Sequence, residues 1–285
     1  MTWNRFTCLA AMHCLFPFLF LFLFLFLFLP SCNTRKVIRV DRPSAGLSGS
    51  GFYREAASYK WQQRDSLALK EILDGNLPSF LRKFVPVKVS VFDSSSGRTV
   101  RAVYYASPDY LSVGGNDDWA RVNITPMAAQ RIADSFGCFL PTRKMVDDIY
   151  RAAKVKLEPV PLYAFRDSTP VMYHHHLIVE GQRKGRRGLI AGIKKDVVIS
   201  GKISRDSRPG RVAIYGWHRP DGKPIQPLYT GHVNWWVDYS QGIRLVYRKV
   251  KVNGKWMDYT DVLAHPLYRK ILCDEEVCDF YKYPY

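Results

Sequence analysis

The chain has 285 residues, with 42 Lys and Arg against 25 Asp and Glu, a net charge of +17. So basic a chain usually meets nucleic acid; the N-terminal pattern described next, which reads as an export signal, argues against that partner and favours anionic envelope polymers or lipid headgroups. Without residues 1–31 there remain 254 residues and a charge near +16, since only Arg5 is lost, which is enough for one large domain or two small ones.

Arg5 is the only charged residue before Arg35. Leu15 to Leu29 is then a run of Leu and Phe interrupted by Pro17, followed by Leu29-Pro30-Ser31-Cys32. A positive start, an apolar run and a small residue before the cut describe a secretory signal over residues 1–31. The Leu-x-small-Cys pattern resembles the bacterial lipobox, which implies that Cys32 carries a lipid and becomes the first residue. Pro30 is the unusual occupant. A plainly cleaved signal and a retained membrane helix are the other readings, because the apolar run approaches the roughly 17–25 residues that span a bilayer. The switch to Ser-Cys-Asn favours cleavage. The expected place is the outer or cytoplasmic membrane, facing away from the cytoplasm.

Residues 32–51 read as a lipid-anchored flexible tether, with Pro43 and a Ser/Gly run to Gly51. Residues 52–285 read as a single globular domain. Its first part, 52–83, looks helical, with Leu67, Leu69, Ile72 and Leu73 near a helical repeat and Gly75-Asn76 as the stop. Val85 to Val91 and Val100 to Tyr105 alternate as strands around the turn Ser94-Ser95-Ser96-Gly97, which predicts a hairpin. Thr125-Pro126 starts a helix that runs to Gly137. Pro141-Thr142 starts another, with Met145, Val146, Ile149 and Tyr150 on one face and Asp147-Asp148 on the other. Pro159 and Pro161 close this half. Strands then follow at Val197–Ile199, Val212–Tyr215, Trp235–Val237, Ile243–Val246 and Val250–Val252. Helices and a hairpin before a mainly antiparallel sheet predict an α+β fold.

Chemistry-bearing residues concentrate between Lys194 and Gly242, at the ends of predicted strands, where loops place working groups on a rigid frame. His218 and His232 are candidate proton carriers. With Asp238 they form the expected catalytic group; Lys195, Asp196, Trp217, Tyr239 and Arg244 are the expected substrate-binding residues. The aromatics suit either a glycan platform or the core of a sheet. Cys138 precedes the helix that Thr142 starts, a position that favours a thiolate, so it joins His232 and Asp238 as a candidate nucleophile; its neighbours Phe136 and Phe139 equally suit a buried core thiol. Cys273 and Cys278 flank four residues and are expected to form a disulfide in an oxidising compartment. His174, His175 and His176 are consecutive; on a strand, His174 and His176 share a face, with Glu180 as a helper. Three or four convergent ligands are not found there, so no metal and no cofactor is assigned.

The order of a cysteine, a strand histidine and a third polar group is similar to the NlpC/P60 and papain-like amidases, as is Gly210-Arg211-Val212-Ala213-Ile214-Tyr215 to the strand that carries their histidine. Arg211 stands where that histidine would be, and the Asp-Cys-Ser motif is absent. Segments such as Lys194-Lys195-Asp196-Val197-Val198 and Val237-Asp238-Tyr239-Ser240-Gln241-Gly242-Ile243-Arg244 resemble a family of uncharacterised secreted bacterial proteins, a resemblance that brings no activity. The sequence therefore supports two functions: a cell-envelope hydrolase acting on wall or surface polymer, or a non-catalytic glycan- or wall-binding lipoprotein. The expected partners are the membrane, through the lipid, and an anionic envelope polymer or glycan.

Overall fold

The structure, a computed structural model, describes residues 34–285. The signal and Cys32 lie outside the described residues. Strand β1 (Arg35–Lys36) lies along a later strand, with Arg35 opposite Phe84. Helices α1 (Gly49–Glu55) and α2 (Trp61–Leu73) follow, and Ser48 caps the first by accepting a hydrogen bond from the Gly51 N–H at 3.1 Å. The chain leaves α2 through Gly75, whose φ of +87° and whose approach to the Asp41 carbonyl, 2.3 Å from where a Cβ would sit, admit only glycine. Strands β2 (Lys83–Asp93) and β3 (Arg98–Ala106) form a hairpin. The Asp93 carboxylate fixes its turn by accepting from the Ser95 N–H and from the hydroxyls of Ser95 and Ser96.

A small ladder of β4 (Ser112–Gly114) and β5 (Trp119–Arg121) leads to α3 (Pro126–Ser135), capped by Thr125 with proline in its first turn. Next come β6 (Cys138–Phe139), then α4 (Arg143–Ala152), capped by Thr142, and β7 (Val155–Lys156). Helix α5 (Thr169–Arg183) precedes β8 (Ile190–Ala191), which pairs parallel with β7. A four-stranded sheet is built from β9 (Lys195–Val198), β10 (Arg211–His218), β11 (Pro224–Val233) and β12 (Gln241–Gly242), in the order β11-β10-β9-β12, with the four-residue helix α6 (Gly201–Ser204) between its first two strands. Strands β13 (Val246–Tyr247), β14 (Lys249–Val252) and β15 (Lys255–Asp258) return to the early hairpin and complete a seven-stranded sheet among the described residues. Helices α7 (Tyr259–Ala264) and α8 (Arg269–Leu272) close the chain, beside the Cys273–Cys278 disulfide.

The fold is α+β, and the large sheet is antiparallel. A continuous core joins both sheets and the helices, with Tyr104, Ile149, Val197, Ile214 and Leu245 all inside it. No helix among the described residues is long and apolar enough to cross a membrane.

Five sequence expectations need correction. The tether is not free: Thr34–Tyr285 forms one compact unit, β1 is hydrogen-bonded into the large sheet, and Ile38 is buried. The helical stretch 52–83 is two helices with 3-10 turns after each. Trp235–Val237 is not a strand but the turn that leaves β11, and of Ile243–Val246 only Val246 pairs. The histidine run is helical. Met172, His175, His176 and Val179 are buried at spacings of three, four and seven, so they form the inner face of α5 and share no strand face.

Candidate functional site

The end of β10 carries the most developed site. His218 Nε2 lies 2.8 Å from Asp147 Oδ1 on α4, and the Tyr215 hydroxyl donates to the same oxygen at 2.9 Å. Residues 215 and 218 fall on opposite faces of a regular strand, yet both reach one carboxylate. The backbone explains this. Gly216 has φ +110° and Trp217 has φ +61°, so the strand is wrung through two left-handed residues, and β10–β11 pairing shifts register on the way. A side chain at Gly216 would press on Val146 at 3.1 Å. Trp217 tolerates a conformation that costs about 1–3 kcal/mol for a non-glycine residue, the kind of strain that gathers at working sites. The Tyr150 ring stacks on His218 at 4.5 Å, and its own hydroxyl donates to the Arg219 carbonyl at 2.6 Å, so the imidazole is held on two sides. These groups floor a cleft of about 410 Å3, rimmed by Arg151, Lys156, Asp221 and Pro224.

A second group gathers around Asp238. Its carboxylate accepts from Arg166 Nη2 at 2.6 Å and from the Ser240 backbone N–H at 2.8 Å. Burial alone would raise this carboxyl, but the Ser240 hydrogen bonds and the Lys195 and Arg166 charges together hold it below the ordinary range. Lys195 lies over the Trp217 ring at 5.1 Å. His232 packs edge-on to Tyr229 and parallel to Trp236, and its pKa is lowered by burial against the opposing pull of Asp238, so it is a neutral imidazole at neutral pH. Asp238 and Lys195 act on His232, and Lys195 on Asp238, through charge alone. His218 belongs to the cleft with Asp147 and is not part of their group.

Asp196 and Arg244 are not substrate-binding residues. Both are buried; Arg244 Nε pairs with Asp196 at 3.7 Å, its guanidinium covers the Tyr110 ring, and the Tyr110 hydroxyl donates to Asp196 at 2.9 Å. Burial raises the Asp196 carboxyl to about 6. Tyr239 is also enclosed, with its hydroxyl accepting from the Leu162 N–H at 2.6 Å. The indole of Trp217 is buried too, so neither ring is a stacking platform.

Lys194, beside them, is fully enclosed and donates to the Tyr239 carbonyl. Burial, reinforced by the Arg121 charge, lowers its pKa from 10.5 to about 7. In the unfolded chain the amine binds a proton up to pH near its ordinary value, so between the two values the unfolded state holds more protons and stability rises with pH. From about pH 7 to about pH 8.5, this group raises stability by up to about 1.4 kcal/mol per pH unit. Urea denaturation across that range should show the rise, and Lys194→Met should flatten it.

The nucleophile reading of Cys138 also needs correction. Its thiol is buried in β6, in the large sheet, where it donates to the Phe136 carbonyl at 3.5 Å, and burial alone pushes its pKa up. A thiolate is disfavoured there. Cys138→Ala should cost about 1 kcal/mol of stability and leave any hydrolysis unchanged; an aromatic disulfide reagent should reach the wild-type thiol only on unfolding. No group of three metal-ligating side chains occurs among the described residues.

Sequence reading missed Asp147, Tyr150, Arg151 and Arg166. Asp147, Tyr150 and Arg151 recur at three and four along α4, but the sequence reading set Tyr150 on the apolar face and Asp147 on the opposite one, so it did not group them. Arg166 lies in an irregular segment and left no such signal. No protein-family model, curated protein or solved structure matches this chain.

Proposed function

We propose that the chain is an exported, lipid-anchored hydrolase of envelope polymer, with Asp147 and His218 as its acid–base pair. The observation that carries this reading is the 2.8 Å contact between Asp147, which is partly exposed, and His218, which is buried behind it among the residues that line the cleft. With Nε2–H donated to Asp147, Nδ1 is the site that takes a proton from water as the oxygen attacks the scissile carbon, and later returns it to the leaving group. Asp147 holds the ring and stabilises its charged form, while Tyr215 fixes the carboxylate. The signal pattern before Cys32 and the Cys273–Cys278 disulfide both suit an oxidising compartment outside the cytoplasm.

The test is incubation of the unit Thr34–Tyr285 with peptidoglycan and a polysaccharide panel, watching for released fragments. Fragments from the wild type but not from His218→Ala support hydrolysis. A second reading, a non-catalytic glycan binder, is favoured by one observation: Tyr229 and Trp235, 46% and 49% exposed, stand beside His232 and Trp236. Retention on a polysaccharide column with no fragment released, lost in Trp235→Ala, would decide for binding. Fatty-acid labelling that disappears in Cys32→Ala tests the anchor.

A further inference from the structure

The large sheet has a solvent face that the cleft does not use. Lys88, Val103, Lys251 and Trp256 stand opposite one another across β2, β3, β14 and β15, so they form one row on one face. Ser90 and Arg101 form the next rung. The groove between the rungs, about 690 Å3, is lined by Lys88, Arg101 and Lys251 and by no carboxylate. Two large apolar side chains flank it on this face, Phe92 at 64% exposure and Trp256 at 45%.

The start of the described chain lies on the same face. The Arg35 guanidinium stands 4.9 Å from the centre of the Trp256 ring and 4.6 Å from that of Tyr247, and β1 is locked to β2. Cys32 precedes Arg35 by three residues in the sequence, and an extended chain covers at most about 3.6 Å per residue, about 11 Å in all. A lipid on Cys32 therefore leaves this sheet almost no slack.

We propose that this face of the large sheet lies on the membrane and binds anionic lipid headgroups. Lys88, Arg101 and Lys251 meet the phosphates, Trp256 sits at the interface with its ring inserted and its indole N–H wet, and Phe92 inserts as a purely apolar side chain. The second fatty-acid-independent contact turns a lipid tether into a fixed orientation. The proposal rests on the lipid-anchored part of the reading above and is independent of hydrolysis.

The test uses the unit Thr34–Tyr285, which has its own core and no Cys32, so its outcome is separate from both labelling and activity. It should float with vesicles of phosphatidylcholine and phosphatidylglycerol, fail to float with phosphatidylcholine alone, and be released by salt. Each of Lys88→Gln, Arg101→Gln and Lys251→Gln should weaken binding about fivefold, and the triple variant about a hundredfold. As a measurement that leaves the cations in place, brominated anionic lipid should quench tryptophan emission in the wild type and less in Trp256→Phe. Absence of flotation, flotation unchanged in the triple variant, or binding to soluble polyphosphate without quenching by brominated vesicles overturns the proposal; the last result would assign the groove to an anionic polymer.

Discussion

Arg121→Met is expected to destabilise the protein by about 3–5 kcal/mol, the cost of leaving a buried charge without its partner. The guanidinium is wholly enclosed on β5. Its Nε donates to Asp109 Oδ1 at 2.9 Å and its Nη2 to Oδ2 at 2.6 Å, a two-pronged pair. Nη1 lies 2.8 Å from Glu180 on α5, and the Trp119 ring covers the group at 5.1 Å. Removing the cation leaves Asp109, itself fully buried, with only the Tyr110 N–H at 2.7 Å. Chemical denaturation measures the loss. Arg121→Met with Asp109→Leu should recover most of it, because no orphan charge is then left inside. A double variant no more stable than the single one would show that the pair is not the source.

The second large effect is on activity. His218→Ala should lower fragment release by about 10²–10⁴-fold, the usual contribution of a positioned proton carrier. Asp147→Asn keeps the shape and should lose a comparable factor, since the amide neither holds the tautomer nor balances the charged ring. The two losses should not add, because the pair acts as one unit. Tyr215→Phe removes only the hydrogen bond to Asp147 and should cost far less. His232→Ala, on the other cluster, should shift KM and leave kcat nearly unchanged. Initial rates on the same polymer give all four values, and equal activity of His218→Ala and wild type would remove the cleft from consideration.

Much of the framework was legible because local signals agreed. The Thr125-Pro126 and Pro141-Thr142 starts gave the caps of α3 and α4, and the alternation around Ser94–Gly97 gave the β2–β3 hairpin. The site was half legible. His218 stood out as a strand-end histidine, but its partner Asp147 looked like the solvent side of a helix, since only tertiary packing brings α4 against β10. Asp196 and Arg244 misled for the opposite reason: charged residues in a strand pattern read as exposed, and here they bury each other. The histidine triplet was read with a period of two, although its neighbours Met172 and Val179 obeyed the helical repeat.

The large sheet has one further consequence, which concerns when the protein can fold. Its strands come from residues 35–106, 138–139 and 246–258, so its ladder closes only when nearly the whole chain is present. Pairing between such distant segments is slow, because the long loop must close before any contact repays it. A chain that crosses a membrane through a narrow channel has to remain unfolded on the way. Under the export proposed above, the late closure of this ladder would keep the early hairpin without its neighbours until the last strands arrive, so that transit would precede folding.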